Sequence, residues 1–199
     1  MVQTFKYPGD AWRWVLGQVN AYGIDVVTED GKLTRELRDV VVRVERFGDW
    51  PIKGSGWDLA ALEIYKEQLL NPVNEWGFAY SYGERLRNYP NWPGEKIDQL
   101  IELIYKLKTE QNSRRCIAIT WIPGIDSGEN EVPCLQLVDF LYREGKLHLS
   151  AVFRSHDVEK AWVPNFYGLW HVLEFVAKGA GMDMGDVTIH SIAAHYYKD

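Results

Sequence analysis

Residues 131–157 read EVPCLQLVDFLYREGKLHLSAVFRSHD. Leu135 to Tyr142 has strand character. The segment GKLHLSAVFRS alternates apolar and polar residues, with Leu147, Leu149, Ala151 and Phe153 in one phase. A Glu-Gly turn joins the two, so they pair as an antiparallel hairpin. Outward from this hairpin, a helix is expected from about Phe166 to Lys178, then a final strand through VTIHSIAAHYY. Upstream, Cys116 to Ile122 reads as a further strand. Strands and helices interleave, which predicts an α/β chain.

The first half is read in the same way. Residues 9–22 carry Ala11, Trp14, Val15, Val19 and Tyr22 at helical spacing, and Gly23 is a plausible stop. TEDGKL is a turn, and Asp39 to Phe47 a strand. Residues 50–56 form a loop. Asp58 is placed to cap a helix through LAALEIYKEQLL, which Asn71-Pro72 ends. Residues 76–93 look like a structured loop around SYGERLR. Lys96 to Lys108 is an amphipathic helix with Ile97, Leu100, Ile101, Ile104 and Leu107 on one side. There are no repeats or linkers, so residues 1–199 are expected to form one domain.

Composition narrows the function. Of 199 residues 46% are hydrophobic and 25% charged, which is ordinary for a soluble globular protein. A net charge of −6 argues against dedicated nucleic-acid binding. No apolar run approaches the roughly 20 residues that span a bilayer. The N-terminus lacks the apolar stretch of a secretory signal, so a cytoplasmic location is expected. Cys116 and Cys134 cannot build a disulfide framework, and no Cys/His spacing suits a metal.

The chemistry lies between Ser113 and Tyr197. Ser113-Arg114-Arg115 reads as the start of a strand bearing two guanidinium groups, which suit phosphate because the planar fork bonds two oxygens. Arg154-Ser155-His156-Asp157 closes the hairpin with a cation, a hydroxyl and a carboxylate. Pro133-Cys134 opens its partner strand directly from a loop. A cysteine near arginine gains thiolate character, and the thiolate is the attacking species. Cys116, in an alternating apolar segment, reads as a packed strand residue.

These motifs in this order resemble the thymidylate synthase family. In that family a Pro-Cys is followed twenty positions on by Arg-Ser-x-Asp, as Cys134 is by Arg154. An Asn follows the Arg by eleven, here Asn165, and a His-x-Tyr follows the Asn by thirty, here His195-Tyr196-Tyr197. YGERLR and the Ser-Arg-Arg before a strand ending at Trp121 match as well. The resemblance covers residues 77–199, and the compact first half is most like the shorter archaeal-type members.

The resemblance implies a fold and a set of roles. The fold would be a mixed sheet flanked by helices, with sheets of two subunits packed together in a homodimer. Cys134 would add to C6 of a uracil ring, and C5 would then attack the one-carbon unit of 5,10-methylenetetrahydrofolate. Asn165 would read the uracil edge. Arg154 and Ser155 would hold the 5′-phosphate, joined by Arg114 and Arg115 across the dimer. His195 and Tyr197 would bond the sugar 3′-hydroxyl. Asp157 would organise folate and ordered water, with Tyr82 in the same network. Glu63 is the best match to the family's general base, with Glu67, one turn further on, as the alternative. Trp76 or Trp92 is a candidate to line the folate site. His171 and His190 read as structural, and His156, at a variable family position, carries no assigned role.

Departures from the family pattern keep other readings open. Leu135 stands where many members have His after the nucleophile, and Asp139 stands where a Gln is common. The family's early phosphate loop is not recognisable, although Arg35 or Arg38 is a possible substitute. The tryptophan-bearing segment before the Tyr-Gly motif is shortened. The sequence ends after the His-Tyr-Tyr strand, where larger members continue into a segment that closes the site. A loosened, tryptophan-poor site would suit a pyrimidine nucleotide hydroxymethylase, which shares the early steps. Asn165 favours uracil and hence the synthase. A non-catalytic nucleotide-binding relative is the third reading, weighed against by the intact Cys134, Arg154 and Asn165.

Overall fold

The computed structural model describes residues 2–48, 50–91 and 93–198. In chain order the elements are β1 (Gln3–Phe5), α1 (Pro8–Tyr22), β2 (Ile24–Val27), β3 (Leu33–Val44), α2 (Leu59–Leu70), α3 (Tyr82–Arg87), β4 (Tyr89–Pro90), β5 (Lys96–Ile97), α4 (Gln99–Thr109), β6 (Ile117–Ile119), α5 (Pro123–Asp126), β7 (Leu135–Arg143), β8 (Lys146–Asp157), α6 (Trp162–Ala180) and β9 (Asp183–Tyr197). Seven strands form one mixed sheet in the order β1-β3-β9-β8-β7-β6, with β2 also on β3. The β7–β8 hairpin is antiparallel as expected. Its turn residues Glu144 (φ 52°) and Gly145 (φ 78°) are both left-handed, the geometry that a tight two-residue hairpin turn requires.

Strand β9 returns parallel to β8, which requires a crossover, and α6 supplies it. This helix is buried on nearly every side, from Trp162 and Phe166 through Leu173 to Ala177. It packs on β8 and β9, and α2 and α4 pack on it in turn. Alternation sorts the sheet into two faces. Leu147, Leu149, Ala151 and Phe153 of β8 are buried under the helices, while Lys146, His148, Ser150, Val152 and Arg154 are exposed or half-buried on the other side.

Several boundaries differ from the sequence reading. Strand β3 begins at Leu33, six residues early, because its first half pairs with β2 and with the end of β9. The short strands β1 and β2 were not anticipated. Lys96 and Ile97 belong to β5, and α4 starts only after Asp98, whose carboxylate accepts from the Ile101 N–H. Helix α6 starts four residues before Phe166 and carries Pro164 in its first turn, where a missing N–H is harmless. Strand β6 is three residues long, so Ser113-Arg114-Arg115 lie in the loop before it rather than on a strand. The stretch read as a loop around SYGERLR contains α3, capped by the Ser81 side chain, which accepts from the Glu84 N–H.

Helix α3 is locked in place by charge. Arg85 Nη2 donates to Asp126 Oδ1 at 2.8 Å and Nη1 to Oδ2 at 3.0 Å, and both residues are buried. Arg85 also donates to the Thr120 carbonyl, and Asp126 accepts the Ile122 N–H. A Cβ on Gly83 would overlap the Asn71 carbonyl oxygen, so glycine lets α3 lie against the end of α2. Asp126→Ala leaves the Arg85 charge buried and unpaired. It is expected to destabilise the fold by about 3–5 kcal/mol in urea unfolding; a loss below about 1 kcal/mol would contradict this role for the pair.

Candidate active site

Cys134 leaves the loop after α5 and sits immediately before β7. A bulge follows it: Leu135 pairs with Phe153 and Leu137 with Val152, so Gln136 is an extra residue opposite the end of β8. Bulges bend the strand and re-aim side chains, and this one lies beside the candidate nucleophile. Gln136 Nε2 donates to the Pro133 carbonyl at 2.8 Å, which fixes the approach to Cys134. Arg154 comes from the facing strand. Its Nε donates to the Pro133 carbonyl and its Nη2 to the Val132 carbonyl, both at 3.0 Å, and Nη2 lies 4.0 Å from Cys134 Sγ.

Cys134 and Arg154 line a cleft of about 390 Å³ whose other walls include Tyr65, Phe78, Tyr80 and Tyr82. That volume is at the small end of ligand sites and suits a ligand of nucleotide size. The Tyr80 ring lies beside that of Tyr82, with centroids 5.7 Å apart. The Leu135 N–H donates to Tyr82 at 3.4 Å. Burial pushes Tyr80 up to about 12 and raises Tyr65 and Tyr82 as well, so all three hydroxyls stay protonated at neutral pH.

Behind this wall Asn165 is buried in the first turn of α6. Its Oδ1 accepts from Tyr65 at 2.7 Å, and its Nδ2 lies 3.2 Å from His156 Nε2. Asp157 Oδ1 accepts from the N–H groups of Glu159 and Lys160, forming the turn that leads into α6. His195 pairs with Asp157 across the β8–β9 ladder, and its ring meets Tyr197 edge-on at 5.4 Å. Ser155 is half-buried opposite Ala193. The carboxylate of Asp157 and the thiol of Cys134 lie within electrostatic reach of each other and of Tyr197.

Other expected site residues are elsewhere in the chain. Glu63 lies off the cleft wall. Its carboxylate accepts from Lys66 Nζ at 2.6 Å and from the Tyr167 hydroxyl, and Lys66 foremost holds it below the usual range. Glu67 is exposed, 3.6 Å from the same lysine. Arg114 and Arg115 are exposed beside a separate concavity, where Arg115 pairs with Glu110 at 3.2 Å. Trp76 is half-buried in the turn between α2 and α3, off the described cleft wall, and Trp92 lies outside the described residues. Arg35 pairs with Asp25, and Arg38 is exposed. His171 and His190 bond Glu174 and Asp39.

The sequence reading missed Tyr65, Tyr80 and the buried His156. The signal for Tyr65 was present: Leu62, Tyr65 and Leu69 form the inward stripe of α2, whereas Glu63 and Glu67 are turned away from it. The expected gain of thiolate character at Cys134 is also outweighed. Burial raises its pKa, the Arg154 charge works against that, and Asp157 adds to it. Alkylation of Cys134, followed by peptide mapping, is therefore expected to speed up with pH beyond the ordinary thiol range. Arg154→Leu should move that profile further to the alkaline side; a shift toward acid would contradict the electrostatic assignment.

Among the described residues no group of His, Cys, Asp and Glu is arranged to hold a metal, and no helix is long and apolar enough to cross a membrane. The sequence profile of the family described as thymidylate synthase matches residues 52–199. Proteins of Methanosarcina barkeri, Methanothermobacter marburgensis and Methanopyrus kandleri, each bearing the name "Putative thymidylate synthase", are similar to the chain at 42%, 38% and 34% identity. The matches cover 96%, 95% and 94% of this chain and 87%, 89% and 88% of those proteins. With its profile matched over most of its length and relatives aligned nearly end to end, the chain belongs to the thymidylate synthase family.

Proposed function

We propose that residues 1–199 form one catalytic domain that methylates C5 of dUMP, giving dTMP. The observation that carries this reading is the cleft itself. A half-buried thiol and a guanidinium lie 4.0 Å apart at its edge, with a buried amide one hydrogen bond behind its wall. Cys134 Sγ adds to C6 of the uracil, which places negative charge on the C4 oxygen and makes C5 a nucleophile. Asn165 donates to that oxygen and accepts from N3–H, so its hydrogen bond strengthens as the charge develops. Arg154 and Ser155 hold the 5′-phosphate, and His195 and Tyr197 bond the sugar 3′-hydroxyl.

The one-carbon unit and the hydride that reduces it are supplied by 5,10-methylenetetrahydrofolate. The fit is supported by Phe78, an aromatic side chain 54% exposed at the cleft, and by Asp157 within reach of Cys134. Trp76 borders the same region of chain. The hydroxyls of Tyr65, Tyr80 and Tyr82, which stay protonated, can donate toward the C4 oxygen but cannot take the C5 proton, and that step is assigned to Glu63. Glu63, bonded to Lys66 and Tyr167, would act only through a path along α6 or after a rearrangement.

A homodimer completes this reading. Beyond the helices the sheet presents Ile117, Ile119 and Ile192, each 39–43% exposed. Asp139, on β7, has a buried carboxylate oxygen without a partner among the described residues, and a second subunit would supply a donor. Arg114 and Arg115 would then reach the phosphate of the partner site. The protein is expected to act in the cytoplasm.

The second reading is a pyrimidine nucleotide hydroxymethylase. It is favoured by the absence of tryptophan from the described cleft wall, which would let water reach the activated carbon. Mass spectrometry of products from dUMP, dCMP, UMP and CMP with 5,10-methylenetetrahydrofolate separates the two. The expected outcome is a methylated dUMP with stoichiometric dihydrofolate, lost by roughly a thousandfold or more in Cys134→Ser. A hydroxymethylated product would replace this reading with the second. No product from any nucleotide would contradict both.

A further inference from the structure

A chain of buried hydrogen bonds stands behind the cleft. Tyr65, on the wall, donates to Asn165 Oδ1 at 2.7 Å. Asn165 Nδ2 lies 3.2 Å from His156 Nε2, and His156 Nδ1 lies 2.8 Å from Ser191 Oγ. Asn165, His156 and Ser191 are each no more than 2% exposed. The imidazole is also stacked on Phe153, with ring centroids 4.0 Å apart. A ring so enclosed cannot turn freely, and a neighbour that loses its partner there is left buried and unsatisfied.

Donor and acceptor roles along this chain are coupled. An amide nitrogen only donates, so the His156 Nε2 that faces it accepts, and the ring proton sits on Nδ1 and points to Ser191. Burial lowers the His156 pKa to about 3, which keeps the ring neutral and Nε2 available as an acceptor at physiological pH. The contacts leave Asn165 with one free N–H and one free carbonyl lone pair, in a fixed left–right order.

We propose that His156 and Tyr65 are positioning residues that clamp the Asn165 amide in one orientation and thereby select a 4-oxo pyrimidine over a 4-amino one. This rests on the reading that Asn165 meets the base. Uracil offers an acceptor at O4 and a donor at N3–H, and cytosine offers the reverse order. An unclamped amide meets either by turning over. In this protein turning over sets Oδ1 against the Nε2 lone pair and Nδ2 against the Tyr65 hydroxyl proton. Relief then requires the imidazole to change tautomer, Ser191 to reverse and Tyr65 to find another acceptor, all in a buried site. Discrimination thus arises from the groups that hold the amide in place.

The test is equilibrium binding of dUMP and dCMP to the full chain by calorimetry, with thermal melting as a check of folding. The wild type is expected to prefer dUMP by about a hundredfold or more. Tyr65→Phe removes the donor to Oδ1 and His156→Phe removes the acceptor for Nδ2, while each keeps the ring volume. Each is expected to reduce the dUMP/dCMP ratio by about tenfold, the worth of one hydrogen bond. His156→Gln, which can present a carbonyl acceptor, is expected to restore part of it. If His156→Phe does not fold, Tyr65→Phe still decides. Parallel losses for both nucleotides, with the ratio kept, would overturn the clamp while leaving the wider reading intact. A wild type that binds neither nucleotide would overturn both.

Discussion

The buried ion pair between Arg85 and Asp126 is the constraint on which the site's geometry depends. Two opposite charges in a dry environment require each other, and bidentate contact fixes angle as well as distance. The pair fastens α3, which bears Tyr82, to the irregular segment from Thr120 to Pro133. That segment makes few ladder bonds of its own. Thr120 and Asp126 anchor it, Thr120 through its bonds to the Leu135 and Gln136 carbonyls. The same guanidinium lies over the Tyr80 ring, 5.9 Å from the ring centroid. Tyr80, Tyr82 and Cys134 are therefore brought together by a contact that touches no substrate.

From that anchor the site follows by strand geometry. The bulge at Gln136 re-aims the chain around Cys134, and the β7–β8 hairpin sets Arg154 beside it. Two of the guanidinium's nitrogens are held by the carbonyls of Val132 and Pro133, so the side chain is oriented before any anion arrives. Such preorganisation limits the cost of ordering on binding. The crossover through α6 then delivers Asn165 from behind, while β9 brings Ser191, His195 and Tyr197 to the same end of the sheet. Burial raises the thiol and the three tyrosines alike, so these four groups stay protonated at neutral pH, with the Arg154 charge working against the rise at the thiol.

Much of this was legible in the sequence, for identifiable reasons. The hairpin was readable because alternation and a two-residue turn are local signals. Helices α1, α2 and α4 were readable from spacing and caps. Helix α3 was not, since a single turn and a half gives no period, although Ser81 and Glu84 carry a capping signature. Motif spacing gave Cys134, Arg154 and Asn165. It also singled out Glu63, which bonds Lys66 and Tyr167, whereas Tyr65 on the inward stripe of α2 was legible only from helical periodicity. The contact between Tyr65 and Asn165 spans 100 residues, and that of His156 with Ser191 spans 35, so no local pattern predicts either.

Under the proposed function, Cys134 bonds covalently to C6 of the pyrimidine. The most direct test of this claim uses 5-fluoro-dUMP with 5,10-methylenetetrahydrofolate, because a fluorine at C5 cannot leave as a proton does and the adduct accumulates. Mass spectrometry of the denatured protein is predicted to show one nucleotide and one folate added per chain, on the peptide that contains Cys134. No covalent adduct, or one carried by Cys116, would contradict the claim.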